Sequence, residues 1–578
     1  MKKTFSVILA LVMALSCLTV AGYATQKQGD LKIAVASDLH YNPPRASLEG
    51  EVTLDDEIYF YGNRRAAMED ESGFIIDEFL KQCAEDDSIE YILIPGDLAD
   101  DGKTRPEDHR TVAAKLQAFE NSTGKQVYIV NGNHDNSTDT NPERDETSSA
   151  DFREIYWNFG YGEALESTFE EDGSLSYTVN LGEKYRLIAA DSCDPSVSTE
   201  DGLTYKKVTW ICNMAEKAYN EGRYPILMMH HNVLDHMPLQ RIVSHNFIVR
   251  THNLTAERLA NAGIKTVLTG HEHGSDAITY TSLSGNKLTD FSTTSLTMYP
   301  LEYRVMTFAD DEIRYEAKSV DKIDTQALKE ASPFISEKSL EMMNEDMDAY
   351  ALGFFKAGVK YRLQLSLSME KMGIKEDAIY YNLVNTAVGG LLKILEMPLY
   401  GENSASKLAK EYNITIPQTD YENGWDLALT VLSYHYSGNE PFDLDSKEVE
   451  IVLKLVDLIL LDSLSTTNDR VFLLGANTLM SVFGTEGICK ELTKAATKIF
   501  GPATIGESFL VALASPLLYG LAYDRDGLDD NNGVIEGYAV TGNNASNVFA
   551  KITTFFEKVM LYISFFFNYI FKAFSIKL

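Results

Sequence analysis

The sequence predicts an α/β domain followed by a mostly α-helical C-terminal region, and three observations predict it. From Leu31, short apolar runs alternate with segments of helical spacing for nearly three hundred residues, the order expected of an α/β domain. Each run is too short for a good helix and closes on a turn signal or a polar cluster. After about Asp321 the strand pattern fades and longer helical patterns take over.

Taken in order, Leu31 to Ser37 is apolar apart from Lys32 and its closing serine, and leads into Asp38-Leu39-His40. Gly73 to Ala84 has helical spacing, and Tyr91 to Ile94 stops at Pro95-Gly96-Asp97. The run from Val127 stops abruptly at Gly132 and releases Asn133, His134 and Asp135. Asn136 to Ser149 is polar and aperiodic and reads as a surface loop beside these ends. Tyr185 to Ala190 ends at Asp191-Ser192, and Pro225 to Met229 ends at His230-His231. Thr255 to Ala262 reads as a helix, and Lys265 to Thr269 ends at Gly270-His271-Glu272-His273. Sites in open α/β sheets collect beyond the carboxyl ends of strands, where loops converge over a rigid platform.

In the C-terminal region, Asp445-Ser446-Lys447-Glu448 reads as a capping signal before the apolar run Val449 to Leu461, and Arg470 to Phe483 is a further helix candidate. The acidic stretch Asp524 to Gly533 is rich in oxygen ligands, but aligning Gly533 with the turn glycine of an EF-hand puts Leu528 at the first ligand position. It reads instead as a solvated acidic turn. Val548 to Leu578 is rich in Phe, Ile and Leu with one narrow polar stripe. Its uncharged run between Lys558 and Lys572 falls well short of the roughly 20 residues that span a bilayer. It suits contact with a membrane surface or burial against the rest of the chain. The expected division is a leader over 1–24, an α/β domain over 25–320, a helical domain over 321–545 and the hydrophobic tail over 546–578.

Composition narrows the function. The formal charge of −34 lacks the basic surface that a long nucleic-acid backbone requires, although bound cations can invert the local field for a small anion. Lys2 and Lys3 before the apolar run Phe5 to Val20, with Gly22-Tyr23-Ala24 at cleavage spacing, read as a secretory signal peptide. The expected location is therefore secreted or in the cell envelope. Beyond it, Cys83, Cys193, Cys212 and Cys489 are too few and scattered for a disulfide framework or a thiolate metal site. A Cys193–Cys212 pair and four separate buried thiols both remain open.

The chemistry sits at the run ends. Asp38 and His40 are two apart, so in extended chain both point to one side and can grip one ion; His271 and His273 repeat this, with Glu272 directed away. Asp97 offers two carboxylate oxygens, enough to bridge two ions, Asn133 a neutral amide oxygen, and His230 another imidazole. Oxygen and imidazole donors without cysteine favour Mn, Fe or Zn.

In this order, Asp-x-His, Gly-Asp, Gly-Asn-His-Asp, His and Gly-His-x-His over residues 31 to 320 resemble the calcineurin-like metallophosphoesterase superfamily. The resemblance implies a four-layer αββα sandwich and two metal ions. One ion would be held by Asp38, His40, Asp97 and His273, and the other by Asp97, Asn133, His230 and His271, with His231 the second choice for His230. It implies that the ions activate a water for in-line attack on phosphorus. His134 would protonate the leaving oxygen or stabilise the transition state, with Asp135 orienting its ring.

Purple acid phosphatases have a tyrosine three positions after the bridging aspartate; this chain has Asp100 there. The Gly-Asn-His-Asp form more closely resembles bacterial phosphodiesterases of the cyclic-nucleotide and glycerophosphodiester type. Arg45, Arg64, Arg65, His236 and His252 read as surface or scaffold residues. The expected function is a secreted phosphoesterase acting on a small phosphate ester, diester before monoester. Alternatives are a phosphomonoesterase or nucleotidase scavenging phosphate, and a non-catalytic envelope binding protein on the same fold.

Overall fold

The computed structural model describes residues 30–47, 66–137, 146–193, 203–236, 240, 247–249, 252–371, 375–376, 381–442, 446–463 and 528–539. The leader, the Arg470 to Phe483 helix candidate, Arg64, Arg65, Cys489 and the 546–578 tail lie outside the described residues.

The apolar runs form the strands the alternation predicts. In order come β1 (Leu31–Val35), α1 (Ser72–Glu85), β2 (Tyr91–Ile94), α2 (Pro106–Thr123), β3 (Gln126–Ile129) and α3 (Ser149–Ile155). Next come β4 (Glu166–Ser167), α4 (Phe169–Asp172), β5 (Tyr177–Leu181), β6 (Tyr185–Ala189), α5 (Tyr205–Asn220), β7 (Tyr224–Met228), α6 (His252–Asn261) and β8 (Thr266–Thr269). The hairpins β9 (Asp276–Thr281) with β10 (Lys287–Ser292) and β11 (Glu302–Phe308) with β12 (Glu312–Ser319) close the α/β part. The local signals are physical: α2 opens with Pro106, carries Glu107 and Asp108 in its first turn, and ends at Gly124 with φ 73°.

Two sheets result. One runs β12-β11-β1-β2-β3 with β1, β2 and β3 parallel, and the other β4-β5-β6-β7-β8-β10-β9 with β6, β7, β8 and β10 parallel. Strand side chains alternate between faces, and here both faces are apolar. Leu187, Ala189, Ile226 and Met228 pack into the core shared with Ile33, Val35, Ile92 and Ile94 of the other sheet. Their neighbours Ile188, Leu227 and Met229 pack outward on Ile211, Ala215 and Leu259 of α5 and α6. Ile75, Phe79, Val112 and Leu116 of α1 and α2 cover the first sheet. This is the expected αββα sandwich, and each buried aliphatic side chain contributes about 1.5–3 kcal/mol through removal from water.

The C-terminal region is helical as expected: α7 (Thr325–Ala331), α8 (Glu337–Glu345), α9 (Met347–Ser366), α10 (Tyr381–Glu396), α11 (Ala405–Glu411), α12 (Gly424–Tyr436) and α13 (Lys447–Ser463). Ser446 Oγ accepts from Val449 N at the start of α13, as the capping signal requires. Among the described residues no helix is long and apolar enough to cross a membrane.

The mostly helical C-terminal region also supplies one strand: β13 (Asn532–Glu536) returns to pair antiparallel with β12 and becomes the sixth, outer strand of the first sheet. One expectation needs correction. The acidic stretch is not a solvated turn over its described part: Asp530 and Asn531 are buried, held by backbone and side-chain partners that the charge pattern alone does not reveal. Of the two open cysteine readings, separate thiols holds among the described residues: Cys83, Cys193 and Cys212 are free and buried, with Cys83 and Cys212 in different apolar clusters.

Candidate metal centre

The carboxyl ends of β1, β2, β3, β7 and β8 converge, and each releases polar residues at once. Extended backbone does not bring them together. Asp38, His40, Asp97, His271 and His273 have φ of 51°, 38°, 50°, 65° and 61°. That left-handed region disfavours side chains with a Cβ, and its occupation costs of order 1–3 kcal/mol per residue. The Asp-x-His and His-x-His pairs therefore converge because the chain is wound, which corrects the extended-chain argument.

Glycines make room for this winding. A Cβ on Gly132 would lie 2.1 Å from Asp97 Oδ1, one on Gly96 2.7 Å from His230 Nδ1, and one on Gly270 2.2 Å from Asp38 Oδ2. Each motif glycine thus touches a candidate ligand from a different strand. In the sequence these glycines read as turn signals, and their position directly before Asp97, Asn133 and His271 is the mark of this close packing.

Two groups of donors face each other. In the first, Asp38 Oδ1 lies 3.2 Å from His273 Nε2 and 3.8 Å from His40 Nε2, and the two imidazole nitrogens are 3.1 Å apart. In the second, His230 Nε2 lies 2.9 Å from Asn133 Oδ1 and 3.1 Å from His271 Nδ1. Asp97 Oδ2 stands between them, 3.7 Å from His40 Nε2 and 3.3 Å from His230 Nε2. Oδ2 is the oxygen free to face both groups, since Asp97 Oδ1 accepts the His134 backbone N–H at 2.8 Å.

The donor set fits a pair of divalent cations. Nitrogens 3.1 Å apart share a focus, and Asp38 Oδ1 is buried without a hydrogen bond, an arrangement that costs free energy unless a cation satisfies it. Asp38-His40-His273 and Asp97-His230-His271 each place three ligand atoms within 4.8 Å of one another. Imidazole, carboxylate and amide donors match Mn, Fe or Zn.

Outer contacts orient the rings. His40 Nδ1 is 2.9 Å from Asp100 Oδ1, and His230 Nδ1 is 2.9 Å from the Pro95 carbonyl. Both contacts suit an Nδ1–H donor and turn Nε2 inward. His273 Nδ1 faces Met298 Sδ at 3.1 Å, and Asp38 Oδ2 accepts from Ser37 Oγ and His271 N at 2.5 and 3.0 Å. Phe247 stacks on the His271 ring with centroids 4.4 Å apart.

Burial opposes charge on His40, but the Asp100 hydrogen bond and the Asp97 charge outweigh it and raise the ring to about 9. His230 is likewise raised to about 9 against burial, chiefly by Asp97. Burial and the neighbouring His230 push His271 down to about 3, and burial lowers His273. Burial works against the Asp97 carboxylate too, yet the surrounding histidines hold it ionised. Ligation of a cation would require His40 and His230 to be neutral with Nε2 unprotonated, so metal binding would be linked to proton release.

All seven predicted ligands thus meet. His231 does not join them: its Nδ1 faces Ser192 Oγ at 2.9 Å, and it belongs to none of the donor groups. His134 sits beside the first group, its ring 4.8 Å from that of His40 and its side chain 41% exposed. Its Nδ1 lies 2.6 Å from the Asp100 carbonyl.

Asp135 does not orient that ring. Its carboxylate accepts from Leu98 N at 2.8 Å, Ala99 N at 3.3 Å and Gly132 N at 2.7 Å, fastening the β3 loop to the β2 loop. The sequence marks Asp100 only as the residue three positions after Asp97; that it steers both His40 and His134 depends on contacts that no spacing announces. Arg45 pairs with Asp70 and His236 with Asp276 and Asp290, as expected of scaffold residues.

Residues 31–275 match the family model described as calcineurin-like phosphoesterase. Among solved structures, a dimetal phosphatase from Danio rerio is 12% identical over 50% of this chain and 97% of its own, with a TM-score of 0.38. Vacuolar protein sorting 29 from Cryptosporidium parvum is 12% identical over 51% of this chain and 93% of its own, with a TM-score of 0.22. No curated protein matches the chain.

Proposed function

We propose that this chain, a metal-dependent phosphoester hydrolase whose residues 31–275 match the calcineurin-like phosphoesterase family, is a diesterase acting outside the cytoplasm. The observation that carries the site assignment is Asp97 Oδ2, set between His40 and His230 at 3.7 and 3.3 Å. In this reading Asp38, His40, Asp97 and His273 hold one cation, and Asp97, Asn133, His230 and His271 the other. Bound cations supply Lewis acidity, making water acidic enough to attack near neutral pH and neutralising charge on the phosphoryl oxygens.

The chain's own residues do the rest. His134 is the partly exposed histidine beside the donors, and donation from Nδ1 to the Asp100 carbonyl leaves Nε2 to carry a proton to the leaving oxygen. The His134 backbone N–H steadies Asp97 in the same turn. Buried Asp135, tied to three backbone amides, keeps the loops that carry Asp97 and Asn133 in register.

Preference for a diester rests on the Gly-Asn-His-Asp sequence, and location outside the cytoplasm on the Lys2-Lys3 leader pattern. The deciding experiment compares bis-p-nitrophenyl phosphate with p-nitrophenyl phosphate, for wild type and Asp97→Ala, alongside metal analysis. Equal cleavage by both proteins would overturn the site. Cleavage of the monoester alone by wild type would remove the diester preference. Sequencing the N-terminus of exported protein tests the leader; an uncleaved chain confined to the cytoplasm counts against it.

A further inference from the structure

The loop that carries His271 and His273 is held by parts of the chain far beyond the family match, which ends at residue 275. Two segments close on it. From the end of α12, the Tyr436 carbonyl accepts the Ser275 N–H at 3.0 Å. From the stretch before β13, Asp530 Oδ1 accepts the Ala277 N–H at 2.9 Å, and Asn531 Oδ1 accepts from Ser275 Oγ at 2.9 Å.

Asn531 also binds these segments to each other. Its Nδ2 donates to the carbonyls of Ser437 at 2.7 Å and Gly438 at 3.3 Å. Gly438, with φ 60°, makes the close approach feasible, because a Cβ there would meet the Ser275 carbonyl at 2.6 Å and Asp530 Cβ at 2.8 Å. Arg304, buried on β11, completes the joint by donating to Ser275 Oγ at 2.8 Å and to the Asp530 carbonyl.

We propose that Asn531 is a positioning residue for the metal centre: it locks the helical region and the returning β13 segment onto the loop that presents His271 and His273. The α/β sandwich is then incomplete as a metal-binding unit without its C-terminal partner. The physical reason lies in the loop. Its two histidines occupy left-handed backbone, a conformation that persists only where surrounding contacts over-determine it. In the ligand assignment above, that loop supplies one imidazole to each cation, so loosening it weakens both sites. The inference rests on that assignment for its effect on metal; its effect on the loop stands apart.

The test uses full-length protein and two measurements. Amide hydrogen exchange of the 270–277 peptide is followed in metal-free wild type, Asn531→Ala and Asn423→Ala, and Mn2+ affinity is then measured by calorimetry. Asn423 accepts from Asp426 N at the start of α12, so its loss loosens that helix without touching the joint. Asn531→Ala is expected to speed exchange in 270–277 at least about tenfold and weaken Mn2+ binding about 10–100-fold, the usual range for residues that orient metal ligands. Asn423→Ala is expected to leave both unchanged.

Wild-type exchange in 270–277, or wild-type Mn2+ affinity, in Asn531→Ala overturns the proposal. So does an equal effect from Asn423→Ala. If Asn531→Ala does not fold, Ser275→Ala, which deletes one hydroxyl of the joint, carries the same comparison. Failure of wild type itself to bind Mn2+ would defeat the functional reading, while the exchange comparison still decides the joint.

Discussion

Gly132→Ala adds one methyl group and tests whether the centre depends on close packing of its strand tips. The new Cβ would lie 2.1 Å from Asp97 Oδ1, 2.4 Å from Asp97 N and 2.7 Å from Asp97 Cγ. Ordinary contact begins at 3.4 Å, so the Asp97 carboxylate and the β3 loop must separate by about 1.3 Å. The bridging carboxylate has no free direction, because His134 N donates to its Oδ1 and His40 and His230 face its Oδ2. A misplacement of about 1 Å at a reacting constellation costs about 100-fold in rate, equivalent to about 2.7 kcal/mol in the barrier. The assay is steady-state hydrolysis of bis-p-nitrophenyl phosphate at saturating Mn2+, with metal content and thermal unfolding measured on the same samples. The expected result is a fall of about 100-fold in kcat with the fold intact. A folded variant with full metal content and kcat within about threefold of wild type would refute the argument that this glycine exists to admit Asp97.

Exhaustive chelation should abolish hydrolysis, and Mn2+ or Zn2+ should restore it; activity that survives removal of all metal sinks the two-cation reading. His134→Ala should lower kcat by about 10²–10⁴-fold, the usual range for a general acid or base, while metal stoichiometry stays at the wild-type value; lost metal would make His134 a ligand instead. Asp100→Asn should weaken metal binding about 10–100-fold by releasing the His40 ring, with unchanged calorimetric affinity the opposing result. His236 is buried against Asp276 and Asp290; burial lowers its pKa, but the two carboxylates prevail and raise it to about 10. Because the folded pKa lies above the unfolded value of about 6.5, this contribution is fully present below pH 6.5 and is lost as pH rises through 10. The gap in unfolding midpoint between wild type and His236→Gln should therefore be widest near pH 6 and narrow steadily to pH 10. A gap that widens over that range reverses the sign and removes the argument.

The strands were legible because their information is local. Leu31 to Ser37, Tyr91 to Ile94 and Lys265 to Thr269 are apolar runs with abrupt polar ends, and an apolar run that short can be buried on both faces only as a strand inside a sandwich. The seven candidate ligands were legible for the same reason: each follows its strand immediately, so finding the strand finds the residue. Asp100 and the joint around Asn531 were not. Asp100 acts through a ring 60 positions away in sequence, and Asn531 through Ser275 at a separation of 256, with no spacing to announce either contact. The stretch around Asp530 looked solvated because charge is usually exposed. The Asp530 carboxyl tolerates its buried position because desolvation, with Asp276 beside it, raises its pKa to about 11 and keeps it neutral, while Ala277 N donates to Oδ1.

By itself, the order of residues determined β1, β2, β3, β6, β7 and β8, and that oxygen and imidazole donors stand at the ends of five of them. Only the tertiary structure decided how they meet: through left-handed backbone at five ligand positions, with Asp97 Oδ2 between two histidine groups and Asp135 fastening loops rather than steering His134. The reason is that periodicity reports how a side chain lies relative to its neighbours in sequence. Backbone winding and the partners of buried polar groups depend on segments that only folding brings together.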